Sequence, residues 1–553
     1  MFSVRAAPHP LRSLVSCLKP TKLLNKINLK PVFLDAGTLA MQANDSNFIV
    51  TQTTMTGASG TTFKVLARTG VGTGYVGNAN FIADWSANLA DMDIASGGQF
   101  GLRGDDLWVD ALNGGGDLYH GFNSGGGAGT RTVTMGVDHG SGNFSGIIHG
   151  DGSSGTLDTL ENGVLAVTKI GTGTQILSGS AANTYLGITL VNEGELHLGK
   201  TPAMNAIVGS NVFISSTGSA ATMKLLASNQ IADTTDVTIF NLGLFDLNGF
   251  DETINNLLDD ASGGSTVDGG TGTPTLTVAS GDFSGTLQDT AGSLSLVKNT
   301  GGTLFLRHVN NTHSGDTTVS GGVLALVNAG SNNNIASSKV IEVAAGATLN
   351  VNGLDGGPLN TLVLASGQTL GGGGTVLGNL DVGGGGTVAP GSSAGLLTVN
   401  GNHLWNNGDN YAWEVAQAGT AGVDYDSIVV HTTLNDGTLD FTAVTSEGID
   451  LQLSKLPGGG FSSTDLFALW TFDNLVGWDT GTGVGNPSGL FTFTNFGGIL
   501  TGGAIVFSDT ANESGPGTIF LTGLVPTPEP STATLAAVGL LLLALAGWRR
   551  RER

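Results

Sequence analysis

Residues Gly194 to Thr201 (GELHLGKT) satisfy the spacing GxxxxGK[ST], with which a glycine-rich loop and its lysine hold nucleotide phosphates. That chemistry needs a loop between a strand and a helix N-terminus, so that backbone amides face the anion. Here Glu195-Leu196-His197-Leu198 alternates like a strand, and the matching later segment Gly322-Val323-Leu324-Ala325-Leu326 has no lysine. The expectation is therefore a strand, not a phosphate loop.

Asp424-Tyr425-Asp426, and Asp105-Asp106 with Asp110, offer the oxygen ligands that calcium takes, but no EF-hand loop or calcium-binding nonapeptide array surrounds them. Surface carboxylates are the preferred reading, with calcium as the alternative. His308 and His313 lie five apart without a nearby third ligand, which disfavours zinc. Arg103-Gly104-Asp105 spells an integrin-type tripeptide, a match short enough to arise by chance. Catalysis on polysaccharide would need carboxylates paired at a fixed spacing, or a base beside an acidic cluster. The basic residues are instead scattered, while Lys169 and Lys298 recur at equivalent repeat positions, which suggests a structural role. No Gly-x-Ser-x-Gly, catalytic cysteine or zinc motif is present. No catalytic, cofactor or metal residues are assigned.

Charge narrows the partners. Of 21 basic residues, six fall in the first 30 positions and four in the last five, leaving eleven in residues 31–548. These face 43 of the 44 acidic residues, a net charge of −32. Such a body repels phosphates, so nucleic acid is excluded as a partner. The single cysteine, Cys17, lies in the basic N-terminal stretch. Ninety glycines among 553 residues without a Gly-X-Y period exclude collagen, and 40% hydrophobic residues exclude a disordered tail. Short, glycine-punctuated apolar runs predict an all-β chain.

The elements that position these side chains repeat. Lys169, Gly173, Thr174, Leu177, Asn183 and Thr184 match Lys298, Gly302, Thr303, Leu306, Asn311 and Thr312. Gly187, Thr189, Val191, Gly194, Leu196 and Leu198 then match Gly315, Thr317, Val319, Gly322, Leu324 and Leu326. Each copy (169–198 and 298–326) holds three short alternating runs separated by Gly, Asn and Ser. Alternation is read as pointing Ile176 and Leu190 to the buried face. One such coil cannot bury its apolar face alone, so coils stack. The simplest architecture is a right-handed parallel β-helix, a solenoid, over 44–400.

The pattern K-x-G-x-G-T-x-x-L-S-G-x-N-T-Y-x-G-x-T-x-V-x-x-G-x-L-x-L resembles the autotransporter-associated β-strand repeat. The second copy departs from it at Arg307-His308 and His313. Degenerate rungs are read in Leu244 to Asn248, Ala347 to Asn352 and Gly373 to Gly395. Residues 401–524 carry Trp405, Trp413, Trp470, Trp478, Phe461, Phe467 and Phe472, and are read as last rungs plus a β-rich cap, with an independent sandwich domain as the rival.

The ends read as address labels. Residues 1–43 form a basic, atypical export segment with an apolar stretch from Pro31 to Ala43 and a cleavage site before Asn44. Residues 532–548 are 17 uncharged residues, enough for one short C-terminal transmembrane helix, and Arg549, Arg550 and Arg551 place its end in the cytoplasm. The order Pro528-Glu529-Pro530, apolar helix, arginine cluster over 525–553 resembles the PEP-CTERM sorting signal. That resemblance implies recognition of Pro528, Glu529 and Pro530 by an exosortase-type processing enzyme. It also implies transient anchoring in the membrane, followed by release to the surface or extracellular polysaccharide matrix of a Gram-negative bacterium. The expectation is a structural or adhesive protein contacting extracellular polysaccharide or envelope components. The alternatives are a glycan-binding module using an aromatic surface of the C-terminal part, or a β-helix polysaccharide lyase or hydrolase.

Overall fold

The computed structural model describes residues 27–28, 32–34, 38–41, 48–51, 53–65, 76–78, 83–102, 106–120, 129–150, 164–478, 489–495, 500–507 and 516–526, apart from 216, 262, 309–310, 329, 392, 432–435, 446–447, 458–459 and 502. The described residues form strands, turns and bends, and no helix among them is long and apolar enough to cross a membrane. The segment 532–548, read as a membrane helix, lies outside them, as do Pro528, Glu529, Pro530, Arg549, Arg550 and Arg551. The chain divides into two units, Met1–Thr317 and Thr318–Arg553.

In the first unit an eleven-stranded sheet runs from Thr38–Met41 to Thr286–Gln288, and each strand pairs in parallel with its counterpart one coil later. Gly142–Phe144, Thr174–Gly179, Gly194–Lys200, Ala221–Leu225 and Gly243–Asp246 are successive members. A second parallel series includes Val164–Lys169, Thr189–Val191, Asn211–Ile214 and Asp236–Ile239. A third series, of six strands, begins at Ile27–Asn28 and ends at Ile147–Ile148. Strands Ile27–Asn28, Val32–Leu34 and Thr38–Met41 fall within the segment read as an export signal. This is a parallel β-solenoid, in which inward rows such as Leu177, Leu198 and Leu225 stack along the core.

The inward phase of the repeat differs from the hydrophobic reading. Gln175, Leu177, Thr189 and Val191 are buried, whereas Ile176 and Leu190 are half-exposed on the outer face. Two polar residues take inward positions because their hydrogen bonds are satisfied there. Gln175 accepts from Leu112 N at 3.0 Å and donates to Leu112 O at 2.8 Å, and Thr189 shares a 2.8 Å hydrogen bond with Tyr185.

Gly187 is required by the spacing of coils: a Cβ there would stand 2.4 Å from Leu165 O. Gly194 has φ +66° and would place a Cβ 2.3 Å from Gly171 O, so both space and backbone conformation exclude a side chain.

The second unit is also built from parallel series. One runs Val340–Val343, Thr369–Gly371, Thr387–Ala389, Asp409–Val415, Ile449–Lys455 and Phe491–Asn495. Others pass through Thr348–Leu354 and Thr375–Leu377, and through Thr361–Val363 and Asn379–Asp381. Within 401–524 parallel pairing continues to Phe491–Asn495, and Gly517–Thr522 then runs antiparallel to both Phe467–Phe472 and Ala504–Phe507.

Candidate functional site

The chemistry-bearing side chains of the repeat are used inside the fold. Lys169 ends the strand Val164–Lys169 facing inward, fully buried, and donates to Ile170 O and Gly171 O at 2.7 Å each and to Glu193 O at 3.3 Å. Burial pushes its ammonium down to about 8, against the opposing pull of Glu193, Asp110 and Glu195. Lys298 does the same in the second copy, donating to Asn299 O and Thr300 O. Asn183 accepts from Ile148 N at 3.0 Å and donates to Ala206 O at 2.8 Å, bridging neighbouring coils, and Asn311 accepts from Leu287 N at 2.9 Å. Tyr185 and Thr189 hydrogen-bond at 2.8 Å, and His313 and Thr317 at 3.0 Å. The departure at His313 therefore keeps the bond of the residue it replaces. Burial pushes its imidazole down to about 4, so it sits neutral.

Gly194–Lys200 is a strand, and Lys200 is buried with its Nζ donating to Gly146 O and Ser178 O at 2.9 Å each. Its ammonium holds coils together and does not face a phosphate pocket. The acidic clusters behave similarly. Asp106 accepts from Thr132 N, while Asp110 accepts from Asp138 N and Gly140 N. Asp426, almost fully buried, accepts from Gly395 N at 2.7 Å and Glu414 N at 2.8 Å, and Asp424 accepts from Gln417 and Thr420 within its own loop. Among the described residues no three His, Cys, Asp or Glu side chains converge as a metal would require. His308 lies against Thr286 at 3.4 Å. Arg103, Gly104 and Asp105 lie outside the described residues.

Most of the aromatic residues named in 401–524 are packed inside, while Phe461 is half-exposed. Trp405, Trp413, Trp470, Phe467 and Phe472 are buried, and Trp478 is 6% exposed. They pack edge-on or tilted, with Trp405 and Trp470 5.7 Å apart and Trp413 and Phe467 5.5 Å apart. The tryptophans, Phe467 and Phe472 of the expected C-terminal aromatic surface are thus large apolar side chains at inward positions.

An open groove of about 640 Å³ lies instead on the flank of the first unit, where three successive coils turn. Phe250, Leu226 and Pro202 supply apolar surface, and Ser180, Thr201 and Ser228 supply hydroxyls. Coil stacking brings these hydroxyls to one groove. Gly179 pairs with Lys200, so Ser180 and Thr201 directly follow paired residues on adjacent coils, while Ser228 lines the groove from the bend after Leu225, the residue that pairs with Leu198. No carboxylate lines the groove, and its one charged residue is the buried Lys200. Sequence inspection missed this site because its residues are dispersed from 179 to 250, and only the stacking of coils brings them together.

Two comparisons bear on this geometry. Residues 159–198 and 296–326 match the passenger-associated-transport-repeat family, so the chain carries two copies of that repeat. An alignment of 243 residues, 30% identical, relates the chain to the adhesin BmaC autotransporter of Brucella suis biovar 1 (strain 1330). That alignment takes in 43% of this chain and 6% of the adhesin, so the likeness is to a small part of a much longer protein.

Proposed function

We propose that this chain is an exported, non-catalytic protein whose β-solenoid is displayed at the cell surface and makes adhesive contacts there. The observation that carries the reading is the pair of passenger-associated-transport repeats, set in a stacked parallel solenoid. The likeness to a segment of an autotransporter adhesin supports it. The internal use of Lys169, Lys200, Asn183 and His313 favours a structural over a catalytic role for the residues that recur.

The tail supplies the route. Pro528-Glu529-Pro530, the apolar stretch 532–548 and Arg549, Arg550 and Arg551 have the order of a sorting signal read by an exosortase-type enzyme. The partners on this reading are that enzyme, the membrane before processing, and extracellular polysaccharide or envelope components afterwards. An epitope placed before residue 525 tests it in an exosortase-bearing Gram-negative host. Trimming and surface exposure are expected in the intact strain, and an untrimmed product that stays cell-internal in both the intact and the exosortase-deleted strain refutes the proposal. Loss of attachment on deleting the gene, restored by the intact chain, tests adhesion.

A further inference from the structure

We infer that the flank groove between Ser180 and Phe250 binds an uncharged saccharide chain lying along the solenoid axis. This rests on the surface-protein reading and adds the ligand class and the site. Three features carry it.

The first is the hydroxyl set Ser180, Thr201 and Ser228, of which Ser228 Oγ accepts from Asp251 N at 3.2 Å. Neighbouring parallel strands are about 4.8 Å apart, so Ser180 and Thr201, which follow the paired Gly179 and Lys200, stand on adjacent coils at a spacing close to one sugar residue of an extended chain. Ser180 and Thr201 are exposed, and Thr201 Oγ1 is 3.5 Å from Gly179 O, the outer limit of a hydrogen bond, so its hydroxyl can turn to a ligand.

The second is the apolar wall beside those hydroxyls. Phe250 is half-exposed and Leu226 is 37% exposed, and both line the groove. A sugar ring presents C–H groups on its face and hydroxyls at its edge, which match a ring-and-aliphatic wall beside lining hydroxyls.

The third is what the groove withholds. Thr201 N already donates to Gly179 O at 2.9 Å and Leu226 N to Leu198 O at 2.7 Å, so these ladder amides are committed and do not offer the open strand edge an extended peptide would use. The ammonium of Lys200 is taken by Gly146 O and Ser178 O, leaving it no reach toward an acidic sugar, and a chain of net charge −23 repels polyanions.

The test is calorimetry on the purified full chain with cellohexaose, laminarihexaose and maltohexaose, and with oligogalacturonate as the acidic control. Binding of at least one neutral hexaose is expected. Phe250→Ala and Thr201→Val should each weaken it tenfold or more, and Phe250→Tyr should retain it, with thermal midpoints confirming that the variants fold. Thr201 is exposed, so Thr201→Val keeps the test open should Phe250→Ala unfold. No binding of any neutral hexaose, tighter binding of oligogalacturonate, or unchanged affinity in both folded variants would overturn the inference. Cells that display the chain and adhere while the protein binds no hexaose defeat the groove proposal alone. Binding by a chain that never reaches the surface defeats the surface reading alone.

Discussion

His313 Nε2 lies 3.0 Å from Thr317 Oγ1, and Tyr185 Oη lies 2.8 Å from Thr189 Oγ1 at the equivalent place in the other repeat copy. Two chemically different side chains thus anchor the same buried threonine position. What the repeat conserves between its copies here is a hydrogen bond, not a residue type.

That relationship makes the second copy sensitive to acid. His313 has its folded-state value lowered from 6.5 to about 4, so the unfolded chain binds more protons between those limits. Its stabilising contribution is complete above pH 6.5 and is lost as pH falls toward 4, up to about 3 kcal/mol. His313→Tyr should flatten this part of the stability–pH curve in denaturant titrations of the full chain. His403, also buried and lowered to about 3, leaves a residual slope in the variant. An unchanged slope across pH 4–6.5 would refute the assignment.

Glu252 should act in the opposite direction. Burial raises its carboxyl from 4.5 to about 8, despite hydrogen bonds from the amides of Gln230, Thr253 and Ile231, so the folded chain holds an extra proton between those values. Its contribution is greatest below pH 4.5 and is lost as pH rises through 8. Glu252→Gln is expected to be more stable relative to wild type at pH 9 than at pH 5. Equal differences at the two pH values would contradict this.

Asn183 joins coils through Ile148 N and Ala206 O. Removing its amide leaves a buried donor and a buried acceptor unsatisfied, at about 1–3 kcal/mol each. Asn183→Ala should lower the denaturation midpoint clearly. Ser180→Ala, an exposed change nearby, should leave it almost unmoved. Similar midpoints for both variants would remove the bridging role.

Gly187→Ala drives a Cβ to 2.4 Å from the backbone oxygen of Leu165, which no rotamer can relieve. A loss of about 1–3 kcal/mol is expected from overpacking between coils. Gly301→Ala meets nothing within 4 Å and serves as the control. Comparing thermal midpoints of the two variants tests whether glycine at 187 is set by coil spacing; parity between them would show that it is not.

The period-two runs and their recurrence after Lys169 and Lys298 were enough to read an all-β, stacked architecture, because alternation and turn residues are local properties of the chain. The same locality explains the rejected phosphate loop: Glu195 to Leu198 alternates whatever tripeptide follows it. The inward phase was not legible. Ile176 and Leu190 are the more apolar choices, yet Gln175 and Thr189 go inside. Their partners, Leu112 at 63 residues' distance and Tyr185 across a turn, exist as a satisfied environment only once the chain has coiled.

The aromatic residues of 401–524 and the flank groove divide along the same line. Composition identifies Trp405, Trp413 and Trp470, but only packing shows that they fill a core and offer no surface. Phe250, Thr201 and Ser180 carry no local signal, and become neighbours through coil offsets that register, a cooperative property of many backbone hydrogen bonds, decides. The sequence by itself thus determined the repeating elements and the strongly acidic net charge. Tertiary structure decided which side chains face inward, since burial depends on partners that lie a full coil away.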